Sequence, residues 1–280
     1  MKKTLWISAI AGCLGAPLAL AQESVVAASD VGYAPYSMVS NDGSLEGIDI
    51  DIAKGMSKYS GIDIKVIDQP WSTTFAGLNA GKFDIVLSAA AVTPERAGNM
   101  LFLEGYGDAT DAVLVKKSAG EITKASDLQG MTLAINKGSS SGNWIREHSQ
   151  QYDLTLAEYD KASDAVQAVI TGQADGYMMY QSAAGWIALQ NPLLAVSDFT
   201  TGGGRVYAYS VNNDNPELRN RLDAALECMK DDGELKAIFT RWTGITPKAD
   251  SVSVNSQPGY GQPGFEGYDD TPHEHDCSAS

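Results

Sequence analysis

Two stretches of this chain share one local pattern, in which a helix ends at a glycine and an aspartate precedes a buried strand. In the first stretch the glycine is Gly81 and the aspartate is Asp84, and in the second they are Gly172 and Asp175. Glycine is common just after a helix because it adopts a left-handed backbone at little cost. Strands that alternate with helices are typical of an α/β fold with a mainly parallel sheet. The chain is therefore predicted to contain two similar α/β units in tandem.

Residues 1–21 have the pattern of a secretory signal peptide. Two lysines come first, residues 5–20 are mostly apolar, and Ala19-Leu20-Ala21 offers small side chains where a signal peptidase cuts. The mature chain is predicted to begin at Gln22. Cleavage before Cys13, as in a lipoprotein, is the alternative, and it is disfavoured because the sequence after Cys13 stays apolar. No other apolar run is long enough to span a bilayer, so we expect a soluble, exported protein of the periplasm.

Acidic side chains outnumber basic ones, and the formal net charge is −15 at pH 7. The phosphates of a nucleic acid repel such a surface, so we expect no nucleic-acid partner. A high net charge also keeps an exported protein soluble, and we expect a monomer. The Gly-x-x-x-x-Gly-Lys-Ser/Thr pattern of a nucleotide-binding loop is absent, and we expect no cofactor.

A long helix and then an irregular segment are predicted towards the C-terminal end. Asn215 is suited to cap the helix and Pro216 to take its first position, and the helix is expected to run to about Asp231. From about residue 249 onwards the chain loses its apolar periodicity and becomes rich in Pro, Gly, Ser and Asp. Residues 249–280 are therefore predicted to form a flexible acidic tail.

Two cysteines and two histidines connect this tail with possible covalent or metal chemistry. Cys228 and Cys277 remain after the predicted cleavage, and an exported protein permits a disulfide between them. Sequence alone leaves the bridge and a pair of free thiols equally open, because it does not show the Cα separation. His273 and His275 lie among carboxylates and could bind zinc, copper or nickel. A solvated charged tail is the favoured interpretation, because no supporting groups are evident, and no metal site is predicted.

Five short motifs follow one another in an order that resembles a known family. They are Asp30-Val-Gly-Tyr33-Ala-Pro-Tyr36, Gly47-Ile-Asp49-Ile-Asp51-Ile, Thr93-Pro-Glu-Arg96, Lys137-Gly138-Ser139-Ser140, and Asn215-Pro-Glu-Leu218 with Asp232-Gly233. Over about residues 24–244 the chain resembles the polar amino-acid class of periplasmic solute-binding proteins, the family 3 extracellular solute-binding proteins. Members of this class are the receptors of ABC importers.

The resemblance implies the type II periplasmic-binding-protein fold. Two α/β lobes, each with a mainly parallel sheet, are then joined by two hinge strands, with the ligand between the lobes. The crossings are expected near residues 110–115 and 204–210. Residues 22–110 and 206–248 would form lobe 1, and residues 111–205 lobe 2. Ligands of open α/β sheets bind beyond the carboxyl ends of the strands, which agrees with a cleft between the lobes.

The resemblance also implies which residues hold the ligand. Arg96 would bind its carboxylate through two parallel hydrogen bonds, although from the residues alone a surface arginine paired with a nearby glutamate is the alternative. Ser139 and Ser140, at a helix start in the second lobe, would hold the same carboxylate. Asp30 can meet a basic ligand group, and Ser88 lies just before the arginine motif. The remaining positions are aromatic: Tyr33 and Trp71 would sandwich the ligand.

Two departures from the family pattern bear on the identity of the ligand. Ala89 and Ala91 stand where family members usually carry hydroxyl groups, and Tyr180 stands where an aspartate usually meets the ammonium group. A buried ammonium without that carboxylate would lose a hydrogen bond worth roughly 1.5–3 kcal/mol. The hypothesis is therefore a small carboxylate whose nitrogen is absent, acylated, ring-bound or fully alkylated. Tyr33, Trp71 and Tyr180 would face its apolar or quaternary group.

The expected function is that of a solute receptor with an ABC permease of the inner membrane as its partner. One alternative is an accessory binding protein of a periplasmic dehydrogenase system without a transport role. A dehydratase-type enzyme on the same fold is a further alternative, and it requires a general acid in the cleft. His148 is the only histidine before the tail and lies in a polar stretch, and Tyr180-Gln181-Ser182 offers no carboxyl group. We therefore expect no enzymatic activity.

Overall fold

A computed structural model describes residues 23–278 of the chain. The predicted signal peptide lies outside the described residues. Between residues 23 and 278, none of the helices combines the length and the apolar character that a bilayer span requires.

Strands and helices alternate through most of the described range. The strands are β1 (Ser24–Ser29), β2 (Met38–Val39), β3 (Leu45–Glu46), β4 (Asp63–Asp68), β5 (Ile85–Ala91), β6 (Leu101–Phe102), β7 (Gly107–Asp108), β8 (Asp111–Lys116), β9 (Thr132–Asn136), β10 (Thr155–Tyr159), β11 (Gly176–Tyr180), β12 (Leu194–Thr201) and β13 (Val206–Val211). The α-helices are α1 (Ile48–Ser60), α2 (Trp71–Asn79), α3 (Pro94–Ala97), α4 (Ser141–Tyr152), α5 (Ala162–Thr171), α6 (Gln181–Gln190), α7 (Pro216–Asp231) and α8 (Glu234–Thr243).

These elements form two α/β lobes, each built on one mixed sheet. The strand order is β4-β1-β5-β13-β6 in the first sheet, where β7 also pairs with β13, and β10-β9-β11-β8-β12 in the second. The first three strands of each order are parallel. The strands beyond them, β13 and β6 in one sheet and β8 and β12 in the other, run antiparallel to their neighbours. Each sheet is thus parallel where helices connect its strands and antiparallel where the chain enters or leaves the lobe.

The repeated glycine–aspartate pattern has the same structural role in both lobes. Gly81 and Gly172 lie just after α2 and α5 with φ of 65° and 81°, the left-handed region that favours glycine. The carboxylate of Asp84 accepts a hydrogen bond from a backbone N–H of β1 at 2.7 Å. That of Asp175 accepts one from the first residue of β9 at 2.8 Å. In both lobes this aspartate ties the start of one strand to the neighbouring strand.

The chain crosses between the lobes twice, and the two crossings contact each other. It leaves the first sheet after β7 and joins the second at β8, and it returns between β12 and β13. The N–H of Ala109 donates to the carbonyl of Arg205 at 2.9 Å. The Arg205 guanidinium donates in turn to the carboxylate of Asp111 at 2.8 Å. These contacts fasten the crossings side by side, which is the geometry of a two-strand hinge.

In the first lobe, α1 packs against α7 and α8. A Cβ atom at Gly55 of α1 would collide with the side chain of Met229 of α7, so glycine allows the close approach of the two helices. Asn215 caps α7 by accepting from the N–H of Leu218 at 3.1 Å, and Pro216 is its first residue. The long helix predicted at this position is thus present.

The C-terminal segment packs against the first lobe, whereas a flexible tail was expected from residue 249 onwards. Cys228 of α7 and Cys277 form a disulfide with a Cα–Cα distance of 5.3 Å. Tyr260 pairs with Asp269 in an isolated β-bridge, and the backbone N–H of Gln257 donates to the carboxylate of Glu104 at 2.6 Å.

The physical reason for the ordered segment lies in α7. This helix buries four charged side chains on one face: Arg219, Asp223, Glu227 and Lys230. Buried charges require partners, and the backbone of the C-terminal segment supplies several. Arg219 donates to the carbonyl of Gly267 at 2.8 Å, and Lys230 to that of Asn255 at 3.4 Å. The composition of the segment predicts disorder because it offers few apolar side chains for a core. The segment is nevertheless ordered, because polar contacts and a disulfide hold it against the first lobe.

Candidate functional site

A cavity of about 40 Å³ lies between the two lobes. All eight residues that the sequence analysis assigned to a ligand line this cavity: Asp30, Tyr33, Trp71, Ser88, Arg96, Ser139, Ser140 and Tyr180. Residues at the carboxyl ends of β1, β9 and β11 contribute to the walls, as expected for open α/β sheets. The structure thus brings the predicted residues together, and their contact with a ligand remains a prediction.

Arg96 reaches from α3 across the cleft. Its guanidinium donates to the carbonyl of Ala91 at 2.9 Å in the first lobe and to that of Gly138 at 3.0 Å in the second. Its central carbon lies 4.5 Å from the ring centre of Phe75 and 5.4 Å from that of Trp71. No ion pair is formed by Arg96 within residues 23–278, so the predicted alternative of a pairing with a glutamate is wrong.

Two further hydrogen-bond donors face the cavity on the side of Arg96. The indole N–H of Trp71 and the hydroxyl of Ser139 are both buried and have no partner among the described residues. Burial also lowers the pKa of the Arg96 guanidinium, because a positive charge is poorly solvated there. An anionic oxygen would satisfy the two donors and compensate the charge.

Two carboxyl groups border the cavity elsewhere. Asp30 accepts hydrogen bonds through Oδ2 from the side chain of Asn136 at 3.2 Å and from the N–H of Ala162 at 3.3 Å. Asp49 accepts through Oδ1 from the hydroxyls of Tyr106 and Tyr209 at 2.8 and 2.7 Å. Burial raises the pKa of Asp30 to about 6 and that of Asp49 to about 7, since a buried carboxylate is poorly solvated.

Three buried acceptor atoms at these positions have no partner among the described residues. They are Oδ1 of Asp30, Oδ2 of Asp49 and the hydroxyl oxygen of Ser29. The cavity is therefore polarised, with free donors near Arg96 and free acceptors near the two aspartates. A carboxyl group that keeps its proton near neutral pH can also act as a general acid, so the arrangement is chemically capable of proton transfer.

Asp49 and Asn136 were not assigned to the site by the sequence analysis. Asp49 occupies an otherwise apolar stripe of α1 between Ile48 and Ile52, and a charged residue in a buried stripe is the signal that could have identified it. Asn136 directly precedes the Lys137-Gly138-Ser139-Ser140 motif at the end of β9. Two acidic side chains, Asp30 and Asp49, therefore line the cavity, although Tyr180 supplies no carboxyl group.

The rings of Tyr33 and Tyr180 line the cavity, and those of Tyr36 and Tyr207 pack against them. Tyr33 meets Tyr180 edge-on with ring centres 6.3 Å apart, and Tyr180 stacks on Tyr207 at 5.2 Å. The hydroxyls of Tyr36 and Tyr207 are hydrogen-bonded at 2.6 Å. Burial raises the pKa of all four phenols, so they are neutral hydrogen-bonding groups.

Several hydrogen bonds join the lobes across the cleft. In addition to the bonds of Arg96 and Asp30, the hydroxyl of Tyr36 is 2.7 Å from that of Ser182. The ammonium of Lys161 donates to the carboxylate of Asp68 at 2.6 Å. The structure therefore has the lobes in a closed arrangement.

The other candidate residues lie outside the cavity. His273 and His275 contact α7 on the first lobe, and the two cysteines are joined in the disulfide described above. His148 hydrogen-bonds the carbonyl of Trp144 within α4 and does not line the cavity.

Comparison with known proteins identifies the family. The sequence profile described as "Bacterial extracellular solute-binding proteins, family 3" matches residues 25–245. The chain belongs to this family. The resemblance found in the motifs is thereby confirmed, and so is the solute-binding nature of the protein.

Individual relatives of this family 3 protein are named for amino acids. The putative ABC transporter arginine-binding protein 2 of Escherichia coli (strain K12) is 26% identical over 246 residues, which is 86% of this chain and 99% of that protein. The structure of an ancestral arginine-binding protein bound to glutamine has a TM-score of 0.74 at 26% identity, covering 80% of this chain and all of that one.

One structural relative has a link to catalysis. The ancestral amino acid-binding protein AncCDT-1, a precursor of cyclohexadienyl dehydratase, has a TM-score of 0.71 at 26% identity, with coverage of 79% of this chain and 95% of that one. The structural matches confirm the predicted type II periplasmic-binding-protein fold of this family 3 protein. The relatives named here are binding proteins, one of which is the precursor of an enzyme.

Proposed function

We propose that this protein is the periplasmic receptor of an ABC importer and that it binds a small zwitterionic amino acid between its lobes. The ligand carboxylate contacts Arg96, and its protonated nitrogen contacts Asp30 and Asp49. The receptor then delivers the ligand to a permease in the inner membrane. The observation that carries this proposal is the position of Arg96, a cation at the cavity whose hydrogen bonds go to backbone carbonyls and not to a carboxylate.

The donors near Arg96 support a carboxylate at this end of the cavity. A guanidinium holds a carboxylate through charge-assisted hydrogen bonds, which are about twice as strong as neutral ones. The indole N–H of Trp71 and the hydroxyl of Ser139 are additional donors of the kind that such an anion requires. A ligand without an acidic group would leave these donors unsatisfied, which costs about 1–3 kcal/mol for each buried group.

The free acceptors at the other end support a nitrogen that carries hydrogen atoms. With both carboxyl groups ionised in the complex, Oδ1 of Asp30, Oδ2 of Asp49 and the hydroxyl of Ser29 offer three acceptors, the number that a primary ammonium group can use. A fully alkylated nitrogen cannot donate hydrogen bonds to them. The hypothesis of a nitrogen without N–H groups rested on Tyr180, and we revise it because Asp49 was not part of that comparison.

The dimensions of the cavity support a compact ligand. A water molecule requires roughly 10–15 Å³ on this measure of volume, and the closed lobes enclose about 40 Å³. The rings of Tyr33, Tyr177 and Tyr180 line the cavity and limit the space for a long side chain. We therefore expect a short amino acid such as alanine, serine or proline to fit better than arginine.

Titration calorimetry with the purified mature protein, unfolded and refolded to remove bound ligand, tests the proposal. We expect one of the short amino acids to bind more tightly, by about tenfold or more, than glycine betaine or acetate, since each of these lacks one set of contacts. Arg96→Gln should weaken the binding of that amino acid by about tenfold or more, because it removes the charge from the carboxylate site.

The matched control is Glu121→Gln, which changes one charge at an exposed position away from the cleft and should leave the affinity unchanged. Tighter binding of betaine than of any primary or secondary amino acid would contradict the role of the two aspartates. Equal affinity of the wild type and Arg96→Gln would contradict the carboxylate site itself.

A further inference from the structure

The C-terminal segment brings two histidines to one buried glutamate. His273 and His275 lie two residues apart, and they contact Glu227 and Asp231, which are one turn apart on α7. Nε2 of His273 lies 2.8 Å from Oε2 of Glu227, and Nδ1 of His275 lies 3.3 Å from the same oxygen. Glu227 is 2% exposed, so the two histidines meet a carboxylate that is buried between α7 and the C-terminal segment.

The three side chains have the chemistry and the spacing of a metal site. One ligand atom from each, two imidazole nitrogens and one carboxylate oxygen, lie within 4.8 Å of one another. Zinc binds imidazole and carboxylate ligands at about 2.0–2.2 Å in tetrahedral geometry, so its ligand atoms are separated by roughly 3–3.5 Å. Imidazole ligands favour zinc, copper or nickel over magnesium and calcium, which prefer oxygen.

Neighbouring groups hold both histidines in place. Oδ2 of Asp231 lies 2.8 Å from Nε2 of His275, which is the ring nitrogen that a metal on Nδ1 would leave free. A carboxylate in this position orients a metal-binding histidine and increases its basicity. The ring of His273 stacks on Tyr260 with centres 3.8 Å apart. The sequence analysis disfavoured a metal site because no such supporting groups were evident, and the fold supplies them.

The disulfide places the three ligands on a firm base. Cys228 follows Glu227 directly in α7, and Cys277 lies two residues after His275. The covalent bond therefore fixes both sides of the site at a short distance from the ligand atoms. Both sulfurs are used in the disulfide, and the site has to be formed without thiolates.

We propose that Glu227, His273 and His275 bind a divalent transition metal ion, with zinc as the reference ion, and that the ion fastens the C-terminal segment to α7. The ion binds the neutral imidazoles and the carboxylate, and any protons on the ligand atoms are released to solvent. A water molecule takes the fourth position. The site is separate from the inter-lobe cavity, so occupancy of one is measurable without a ligand in the other.

Zinc binding to the full mature protein tests the proposal. The protein is prepared without a histidine tag, treated with EDTA, exchanged into buffer without reductant, and titrated with ZnCl₂ against a chromophoric chelator. We expect one zinc ion per chain by native mass spectrometry, and an affinity that falls by about tenfold or more in His273→Gln and in His275→Gln. Asp231→Asn, which removes the supporting carboxylate, should weaken binding by about tenfold.

The matched control is His148→Gln. The chain has three histidines, and this one lies on α4, where it hydrogen-bonds a backbone carbonyl of its own helix. Its zinc affinity should equal that of the wild type. Each of three results would overturn the proposal: no zinc retained by the oxidised wild type, equal affinities of the wild type and both tail variants, or binding that appears only after the disulfide is reduced. The circular dichroism spectrum of each variant establishes that it is folded.

Discussion

At the residue scale, Asp49 has a measurable effect on stability through its buried position. Burial raises the pKa of its carboxyl group to about 7 in the folded protein, whereas in the unfolded chain the pKa returns to its usual value of about 3.9. Between these values the folded state holds a proton that the unfolded state has lost. The contribution of Asp49 to the free energy of unfolding is therefore fully present below about pH 4 and is lost as the pH rises to about 7.

Asp49→Asn should remove this pH dependence. The amide keeps an oxygen that can accept from Tyr106 and Tyr209, and it does not ionise. We expect the free energy of unfolding of the wild type, relative to this variant, to fall by roughly 4 kcal/mol at most between about pH 4 and pH 8, since each unit of pKa shift corresponds to about 1.4 kcal/mol. Urea unfolding curves of the ligand-free proteins at several pH values measure the difference.

The exposed variant Glu121→Gln is the reference for this experiment and should retain the slope of the wild type. Asp30, whose pKa is also raised by burial, leaves part of the slope in place in every variant. A slope in Asp49→Asn equal to that of the wild type would show that Asp49 is not buried as a proton-holding group.

Residues of the site differed in how far they could be predicted. Arg96 and Ser139 belong to local motifs, and the structure brings both to the cavity. Asp49 also belongs to one of the five motifs, but the motif does not show its environment, because its partners Tyr106 and Tyr209 lie 57 and 160 residues further along the chain. Sequence patterns describe neighbours along the chain well, whereas the environment of a buried acid is set by side chains that only the fold brings close.

At the element scale, a disulfide and several hydrogen bonds join α7 to the C-terminal segment. The disulfide closes a loop with a sequence separation of 49 residues. By the chain-entropy relation, a loop of this length stabilises the fold by roughly 4 kcal/mol at most, because the crosslink limits the unfolded chain. The double variant Cys228→Ala/Cys277→Ala should therefore unfold at a lower urea concentration than the oxidised wild type.

Treatment with a reductant provides the internal comparison. It should lower the unfolding midpoint of the wild type towards that of the double variant and leave the double variant itself unchanged. Identical midpoints for the oxidised wild type and the double variant would mean that the crosslink does not stabilise the folded state.

The elements themselves were predictable to different degrees. The start of α7 followed from Asn215 and Pro216, since a capping side chain and a proline act within one turn of the chain. The order in the C-terminal segment did not follow, because it arises from polar contacts with the buried charges of α7. Those charges, at Arg219, Asp223, Glu227 and Lys230, are spaced by three or four residues and so share one helix face, which is a visible sign of a covering segment.

At the scale of the whole molecule, direct contacts between the lobes stabilise the closed arrangement. The ion pair between Lys161 and Asp68 joins the two lobes at 2.6 Å and is partly exposed. An exposed pair of this kind is worth about 0.2–1 kcal/mol. Lys161→Gln should therefore weaken ligand binding by up to about fivefold, because binding is coupled to closure.

Lys54→Gln is the matched comparison. Lys54 pairs with Asp51 at 3.3 Å within the single helix α1, so its loss does not favour the open state. Calorimetry with the best-bound amino acid of the proposed series should give the wild-type affinity for this variant. Equal affinities for Lys161→Gln and Lys54→Gln would show that the pair between the lobes does not contribute to closure.

The overall fold could be predicted from the sequence, whereas the contacts between the lobes could not. The alternation of strands and helices, together with five spaced motifs, was sufficient to predict a two-lobed α/β fold. The mixed sheets were not anticipated, because the antiparallel strands β8 and β13 are placed by the crossings and not by local propensity. The cross-lobe contacts of Arg96, Asp30 and Lys161 likewise join positions far apart in sequence.

The sheet topology has a consequence for the order in which the lobes can form as the chain is synthesised. Strands β8 to β12, all of the second sheet, lie between residues 111 and 201, whereas the first sheet requires β13 between β5 and β6. A chain that emerges from its N-terminus onwards therefore completes the inserted lobe while the enclosing lobe still has an unpaired edge at β5. The enclosing lobe, whose first strands are translated early, is completed only when β13 joins its sheet.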